Sequence, residues 1–364
     1  MPDLFELAKE RVKQASQRRL ELSEDDAEPA QNEGTLSEIN QRHESCTLIC
    51  GSASCGKTSL INRFLDKNET PAKTIALEYC YATRTRNNIK ELANIWELGG
   101  GSFLSNLLDV TLTQKNIEIT SLILFIDLTQ PEDIHATVMP ILDVIRKKLD
   151  QILREINDKQ PTLYDKIMMK SKKRFEEHKD TKIIKPFPIP VVMMLARYDE
   201  FQNYDTERKK TTLRLLRYFA HINGASLQSY SSNMENLVTR GRSLLSHFAF
   251  NTAINLPNSI DPLKPVFVTA GSDSIESIGP LSGSHGFINT YQEALEQWTY
   301  ALNEDFSQKH ADKSLPEDPT LDKQFAELEI DRIVDQRSRE LEMYIKEKRD
   351  RQAAAEKAQQ KLAQ

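Results

Sequence analysis

The sequence predicts an α/β fold in which helices cover a mostly parallel sheet. Two continuously apolar segments, 121–128 (SLILFIDL) and 189–196 (IPVVMMLA), are typical of central strands buried on both faces. Segments with helical spacing of apolar residues lie between the strands, as they do in a parallel sheet with crossover helices. The chain has 364 residues, enough for one large domain or two of medium size.

The first elements surround a glycine-rich loop. Residues 46–50 form a short apolar strand, and residues 57–65 form the helix that follows the loop. Residues 73–81 (KTIALEYCY) alternate like a strand with one wetter face. Residues 93–98 form another short strand, which three successive glycines end.

Later elements complete the alternation. Residues 207–222 and 234–250 have helical patterns, and residues 225–230 and 265–269 are weaker strand candidates. The segment at about 130–187 is longer than a compact domain needs to join two strands. We therefore predict a long helical insertion before strand 5, either projecting from the body or packed along it.

Three regions follow from this reading. Residues 1–42 form a polar N-terminal extension, with a short helix and a flexible stretch. Residues 43–305 form the α/β domain with its insertion. Residues 306–364 form a charged tail that is rich in helix formers and predicts a solvated helix.

Composition narrows the classes of function. Hydrophobic residues make up 39% and charged residues 28%, as expected of a soluble globular protein. The formal net charge of -6 argues against general electrostatic binding of nucleic acid. No segment approaches about 18 consecutive apolar residues, and the first residues lack a signal-peptide core, so we expect a cytosolic chain without membrane insertion.

The segment 46–60, CTLICGSASCGKTSL, contains the complete phosphate-loop pattern G-x-x-x-x-G-K-[ST]. In such a loop the backbone amides and the following helix hold the β-phosphate. Lys57 would reach the β- and γ-phosphates, and the Thr58 hydroxyl would bind Mg²⁺. The predicted nucleotide-binding residues of this loop are Gly51, Ser52, Ala53, Ser54, Cys55, Gly56, Lys57, Thr58 and Ser59.

The next motif is IWELGGGS at 95–102. A Ras-like GTPase has D-x-x-G here, with the Asp on Mg²⁺ and the Gly amide near the γ-phosphate. Glu97 stands at the Asp position as a candidate metal ligand, and Gly100 stands at the Gly position. Gly101 replaces the glutamine that orients water, so hydrolysis is expected to be slow or absent unless a partner supplies the missing group. The alternative is a tight turn without function.

A base-reading motif should follow strand 5. Asp199 could accept hydrogen bonds from guanine, and Arg197 could stack on the base, whereas Ala196 cannot supply the usual amide. The alternative reading of Asp199 is a surface residue that starts a helix. A switch threonine on Mg²⁺ would be Thr74 or Thr70, which no motif distinguishes.

The four cysteines, 46, 50, 55 and 80, contain no C-x-x-C pair and have no nearby histidine cluster. This argues against a zinc site built on them, and buried free thiols are the ordinary interpretation. A redox role for Cys55 is the alternative.

Several longer segments resemble one family. They are ALEYCYATR, IWELGGG, PFPIPVVMMLARYDEFQNYDTERKK, RYFAHINGASL and PVFVTAGSDSI. Together they resemble the dynein light intermediate chains over about residues 44–305, with the strongest resemblance to the cytoplasmic dynein-2 branch. The resemblance implies a Ras-like P-loop domain in a non-motor subunit.

The resemblance also implies a function. A member of this branch binds and stabilises the dynein-2 heavy chain for retrograde intraflagellar transport and cilium assembly, and contacts other dynein-2 subunits and intraflagellar transport particles indirectly. It would be located in the cytoplasm, the cilium and basal body, and on microtubules. We expect a pseudo-GTPase rather than an enzyme, with GDP or GTP and Mg²⁺ as ligand, or with an empty loop.

Two alternatives stay open at this point. The chain could be a GTPase switch whose hydrolysis a partner completes. A nucleotide or small-molecule kinase would need an arginine-bearing lid and an acceptor site, and the inserted segment shows no such arrangement.

Overall fold

The computed structural model describes residues 44–86, 89–254, 257–283, 288–308 and 327–362. The predicted N-terminal helix within residues 1–42 lies outside these ranges. Both predicted domain boundaries fall beside stretches that are not described, so they stay predictions. No helix in the described ranges has the length and apolar character needed to cross a membrane.

One seven-stranded sheet organises the described residues. Its strands follow the order β2-β3-β1-β4-β5-β6-β7, and only the outer pairs β2–β3 and β6–β7 are antiparallel. The strands are β1 (Glu44–Gly51), β2 (Leu77–Arg86), β3 (Ile89–Leu98), β4 (Thr120–Asp127), β5 (Val191–Ala196), β6 (Ser226–Ser229) and β7 (Phe267–Val268).

Ten helices of four residues or more are described along the chain. They are α1 (Lys57–Phe64), α2 (Leu108–Thr111), α3 (Ile134–Lys159), α4 (Pro161–Lys172), α5 (Tyr198–Phe201), α6 (Thr206–Ile222), α7 (Glu235–Phe250), α8 (Ile275–Ile278), α9 (Tyr291–Asp305) and α10 (Leu328–Leu362). The predicted α/β class is confirmed, with its mostly parallel sheet, the long helical segment before the fifth strand and the C-terminal charged helix.

The sheet separates two apolar layers. Neighbouring side chains of β1 point to opposite faces, so Leu48 belongs to one layer and Ile49 to the other. The larger layer packs against α3, α6 and α9. There the fully buried Trp298 stacks on Phe219 at 4.1 Å between ring centroids and donates its indole N–H to the Leu215 carbonyl. The smaller layer packs against α1 and α7.

The inserted segment packs along the body. Buried residues recur at helical spacing on α3, namely Ile134, Val138, Ile141, Leu142, Ile145, Leu149, Ile152, Leu153 and Ile156. Pro140 lies inside this helix and has no N–H for the carbonyl of Ala136. The Ser102 hydroxyl donates to that carbonyl at 3.1 Å, which satisfies the acceptor that the proline leaves.

Three predicted strand boundaries were wrong, since the second strand also continues to Arg86 instead of ending at residue 81. The second strand begins at Leu77 rather than at residue 73, because the backbone near Thr74 is pressed against Gly99 instead of forming a ladder. A Cβ added to Gly99 would lie 2.1 Å from the Thr74 carbonyl oxygen. The third strand begins at Ile89 rather than at residue 93, because antiparallel pairing with β2 extends it.

Helix α10 is solvated over residues 328–351, as predicted for the charged tail. Its exposed apolar residues are Leu328, Ile330, Ile333, Val334, Leu341, Met343, Tyr344 and Ile345. Ion pairs at helical spacing, such as Arg337 with Glu340 at 2.7 Å, lie along its surface.

Candidate nucleotide-binding site

The phosphate-loop residues lie where β1 ends in the middle of the sheet, between β3 and β4. Gly51 has a φ of +120°, and a Cβ at this position would lie 2.0 Å from the Phe125 carbonyl oxygen. The Ser52 amide donates to that same oxygen at 2.9 Å. Glycine is therefore required at residue 51 by the close approach of β4.

The loop then turns into α1. Ser54 has a φ of +54° and Gly56 a φ of +84°, so two left-handed residues reverse the chain within the loop. Gly56 is the residue that precedes α1, and its carbonyl accepts from the Leu60 amide at 3.0 Å. The partial positive charge of the helix N-terminus is thereby directed toward the loop.

Lys57 lies folded beneath the loop. Its ammonium donates to the Ser52 carbonyl at 2.7 Å, and the residue is only 5% exposed. Burial lowers the pKa of Lys57, while the nearby charge of Glu97 acts in the opposite direction. The loop thus holds a buried cation at the place where the sequence predicts the phosphates.

The predicted metal ligands Thr58 and Glu97 are in contact. The Thr58 hydroxyl donates to Glu97 Oε1 at 2.8 Å and lies 3.4 Å from the Thr74 hydroxyl. The Thr74 hydroxyl in turn donates to Glu78 Oε2 at 3.2 Å. Of the two candidate switch threonines, the structure places Thr74 in this group. Hydroxyl and carboxylate oxygens are the ligands that Mg²⁺ prefers, so this set fits that ion.

Gly100 and Gly101 form the turn after β3. Their φ angles are +69° and +63°, which are left-handed values that favour glycine. A Cβ at Gly101 would meet no atom within 4 Å. This position therefore has space for a side chain but provides none that could orient water.

The base-reading residues lie where β5 ends. Arg197 has a φ of +55°, donates to the Ser54 carbonyl at 3.3 Å and pairs with Asp127 at 3.5 Å. Arg197 thus lies against the phosphate loop. Asp199 falls in the first turn of α5, as the surface-residue alternative predicts.

The Asp199 carboxylate is held by two donors from the segment after β6. The Ser231 hydroxyl donates to Oδ1 at 2.7 Å, and the Asn233 amide donates to Oδ2 at 2.8 Å. Partial burial alone would raise the pKa of Asp199, but these hydrogen bonds outweigh it and the pKa is lowered. Asp199 is therefore ionised and oriented as an acceptor at neutral pH.

Known proteins resemble this chain over most of its length. The profile of the family "Dynein light intermediate chain (DLIC)" matches residues 34–201. A Bos taurus protein named "Cytoplasmic dynein 2 light intermediate chain 1" is 33% identical over 321 residues, covering 86% of this chain and 90% of that protein. This chain belongs to the dynein light intermediate chain family.

Other light intermediate chains extend the comparison. The Homo sapiens protein of the same name is 32% identical over 320 residues and covers 86% of this chain and 90% of its own length. A solved structure described as "Crystal Structure of the Dynein Light Intermediate Chain's Conserved Domain" has a TM-score of 0.49 and 16% identity. It covers 75% of this chain and 94% of that chain.

Asp127 is a candidate site residue of this light intermediate chain that sequence reasoning missed. Its Oδ1 accepts from the amide and hydroxyl of Thr129, at 2.8 and 2.6 Å, and its Oδ2 faces Arg197. Its own amide donates to the Ser52 hydroxyl at 3.3 Å. The available signal was its position at the end of a buried apolar strand, where the loops of a parallel sheet gather.

The cysteines of this light intermediate chain are protonated. Burial raises the pKa of Cys50 to about 12, and burial together with the charge of Asp127 raises that of Cys55 to about 12. Because the thiolate is the reactive form, these values argue against the alternative redox role of Cys55.

Proposed function

We propose that this chain is a light intermediate chain subunit of a cytoplasmic dynein-2 complex. It binds and stabilises the dynein-2 heavy chain for retrograde intraflagellar transport and cilium assembly, in the cytoplasm, the cilium and basal body, and on microtubules. The observation that carries the proposal is the similarity to the bovine dynein-2 protein, which extends over 86% of this chain and 90% of that relative.

In this proposal the phosphate loop holds GDP or GTP with Mg²⁺ as a structural ligand. Lys57 contacts the phosphates, while the oxygens of Thr58, Glu97 and Thr74 surround the cation. Mg²⁺ supplies neutralising charge for the phosphates. A ligand present at about 100 times its Kd stabilises the folded state by roughly 2.7 kcal/mol, which gives the loop a role without catalysis.

The proposed role does not include GTP hydrolysis, because the turn after β3 contains two glycines, Gly100 and Gly101. A side chain that orients water is needed at the position of Gly101, and the backbone there offers none. The second candidate function, a GTPase switch completed by a partner, is favoured by one observation. The space around Gly101 is open to at least 4 Å, so a partner's side chain has room to enter.

The proposal is tested by co-expressing the full chain with the tail of the heavy chain. Lys57→Ala should lose the nucleotide that is released from the parent on denaturation and identified by chromatography. The same variant should still co-purify with the heavy chain. Lys67→Ala is the matched control, because this exposed lysine lies just beyond α1.

Two results would oppose the structural role of nucleotide. In the first, Lys57→Ala melts like the parent yet fails to co-purify, which means that nucleotide gates assembly. In the second, single-turnover GTP cleavage accelerates when the heavy-chain tail is added and disappears in Lys57→Ala, which favours the switch. If the parent itself does not bind the heavy chain, the subunit assignment fails.

A further inference from the structure

A second cluster of polar side chains lies at the opposite edge of the sheet from the phosphate loop. His178 and Asp180 belong to the stretch between α4 and β5, and His221 belongs to the last turn of α6. Helix α6 ends just before β6 begins, so His221 lies at the amino edge of the parallel strands. The nucleotide site lies at their carboxyl edge, and the cluster is therefore independent of it.

The potential ligand atoms of the three side chains lie close together. His221 Nε2 lies 2.9 Å from Asp180 Oδ2, and His178 Nδ1 lies 3.8 Å from the same oxygen. The three potential ligand atoms all lie within 4.8 Å of one another. When nitrogen or oxygen ligands lie about 2.0–2.1 Å from a tetrahedral zinc ion, the ligand atoms lie roughly 3.3 Å from one another. The two distances to Asp180 Oδ2 fall on either side of this value.

The hydrogen bonds around His178 orient its ring. Its Nε2 lies 2.8 Å from the Asp273 carbonyl oxygen, which can only accept, so Nε2 carries the proton. Its Nδ1 therefore carries the lone pair, which accepts from the Asp180 amide at 3.1 Å, and a bound ion would replace that hydrogen bond. A ring N–H that donates to a backbone carbonyl while the other nitrogen faces inward is the usual arrangement of a metal-bound histidine.

The surroundings suit a cation and leave it an entry path. The side chains of His178 and Asp180 are 15% and 18% exposed, whereas that of His221 is 1% exposed. The neighbouring guanidinium of Arg217 is neutralised by Asp273 through two hydrogen bonds of 2.8 and 2.7 Å.

We propose that His178, Asp180 and His221 form a binding site for a divalent transition-metal ion, with zinc as the best fit. Two imidazole nitrogens and one carboxylate are a common zinc ligand set, with water completing the tetrahedron. Magnesium and calcium prefer oxygen ligands alone. On binding, the neutral ring of His221 would change tautomer: its proton would move from Nε2 to Nδ1, and the ion would take the place of the proton on Nε2.

The ion would fasten three segments together. His178 and Asp180 belong to the stretch before β5, and His221 belongs to helix α6. The third segment follows β7, because the Asp273 carbonyl accepts from His178 and the Ile275 amide donates to Asp180 Oδ2 at 3.0 Å. The site would therefore stabilise the amino edge of the sheet.

The test uses the full chain after treatment with a chelator. Calorimetric titration with ZnCl₂ should give one zinc per chain, whereas MgCl₂ should give no binding at this cluster. CoCl₂ should produce the visible absorption of tetrahedral Co²⁺ without a thiolate charge-transfer band, which excludes the cysteines as ligands. His178→Ala and Asp180→Asn should each weaken zinc binding by at least about 100-fold, since loss of even an outer partner costs about 10–100-fold.

His247→Ala is the matched control, because His247 lies on α7 and bonds to the Thr252 carbonyl instead. This variant should bind zinc like the parent. Asp180→Asn keeps an oxygen acceptor for His221 and for the Ile275 amide, so it should remain folded by circular dichroism. The proposal is overturned if the parent binds no zinc, if its Co²⁺ spectrum is not tetrahedral or contains a thiolate band, or if folded Asp180→Asn binds zinc as tightly as the parent.

Discussion

Thr58 and Glu97 stand 39 residues apart in the chain and are joined by a 2.8 Å hydrogen bond from the threonine hydroxyl to Glu97 Oε1. The bond connects the first turn of α1 to the end of β3. Glu97 is only 3% exposed, and burial raises its pKa, although the Thr58 hydrogen bond and the charge of Lys57 act against this. In the absence of Mg²⁺, the ionised Glu97 therefore costs stability.

Glu97→Gln should stabilise the nucleotide-free protein at neutral pH, because glutamine accepts the same hydrogen bond without a buried charge. A carboxyl whose pKa is raised on folding destabilises the protein only where it is ionised. The difference between variant and parent should thus vanish as pH falls toward the ordinary value of 4.5 and grow as pH rises through the folded pKa. Urea unfolding between about pH 5 and 8 measures this difference.

The same variant tests the metal role of Glu97. Adding Mg²⁺ with GDP should raise the melting temperature of the parent more than that of Glu97→Gln, since the variant lacks a charged ligand. Glu78→Gln is the control, because Glu78 is exposed and accepts a hydrogen bond from the outer threonine, Thr74. Lower stability of Glu97→Gln at every pH would contradict the assignment of a strained, buried carboxylate.

Gly51 and Gly101 form a matched pair of glycines with positive φ. Gly51→Ala should cost at least about 3 kcal/mol or abolish folding, because its Cβ would lie 2.0 Å from the Phe125 carbonyl oxygen. Gly101→Ala should cost only about 1–2 kcal/mol, the price of a left-handed residue in open space. Thermal and urea unfolding measure the stability of the two variants. Equal losses of stability would show that the positive φ alone, and not the contact with Phe125, determines the cost of the substitution.

Asp199→Ala should reduce the preference for GDP over ADP by about 10–100-fold, because hydrogen bonds to a charged acceptor contribute about 1.5–3 kcal/mol. Ser231→Ala should have a smaller effect in the same direction, since it removes one of the two donors that orient the carboxylate. Glu200→Ala is the control from the exposed neighbour. Competition titration with a fluorescent nucleotide gives both affinities, and an unchanged ratio would exclude Asp199 from base reading.

Gln228 is fully buried on β6, and neither polar atom of its side chain has a hydrogen-bond partner among the described residues. Gln228→Met should therefore stabilise the protein by about 1–2 kcal/mol, because it removes an unsatisfied amide at similar volume. Gln297→Met is the opposite case, since Gln297 accepts from the Tyr218 hydroxyl at 3.1 Å, and it should lose stability. Loss of stability in Gln228→Met would reveal a polar partner, such as a bound water.

Much of the fold was predictable because apolar runs are local signals. The central strands β1, β4 and β5 and the helices α1, α6 and α7 lie within about two residues of their predicted positions. The start of β3 and both ends of β2 were missed, because Ile89, Leu77 and Arg86 are fixed by pairing between strands and by the approach of Gly99 to Thr74.

The candidate site shows the same contrast between local sequence signals and distant contacts. The loop, Glu97 and Asp199 were predicted because each belongs to a motif with fixed spacing. Ser231 and Asn233 hold Asp199 from 32 and 34 residues away, and only the folded chain shows their role. The cluster at His178 could not be predicted for the same reason, since His221 joins it from helix α6, 41 residues after Asp180.

The two ends of the sheet differ in one respect that matters for assembly. β2 offers ten residues and, within the described part of the chain, pairs only with β3, whereas β7 at the other end has two residues. An extended peptide that pairs with the sheet could use a long row of main-chain donors and acceptors on β2, but almost none on β7. A strand from another molecule would therefore extend this sheet at the β2 edge and not at the β7 edge.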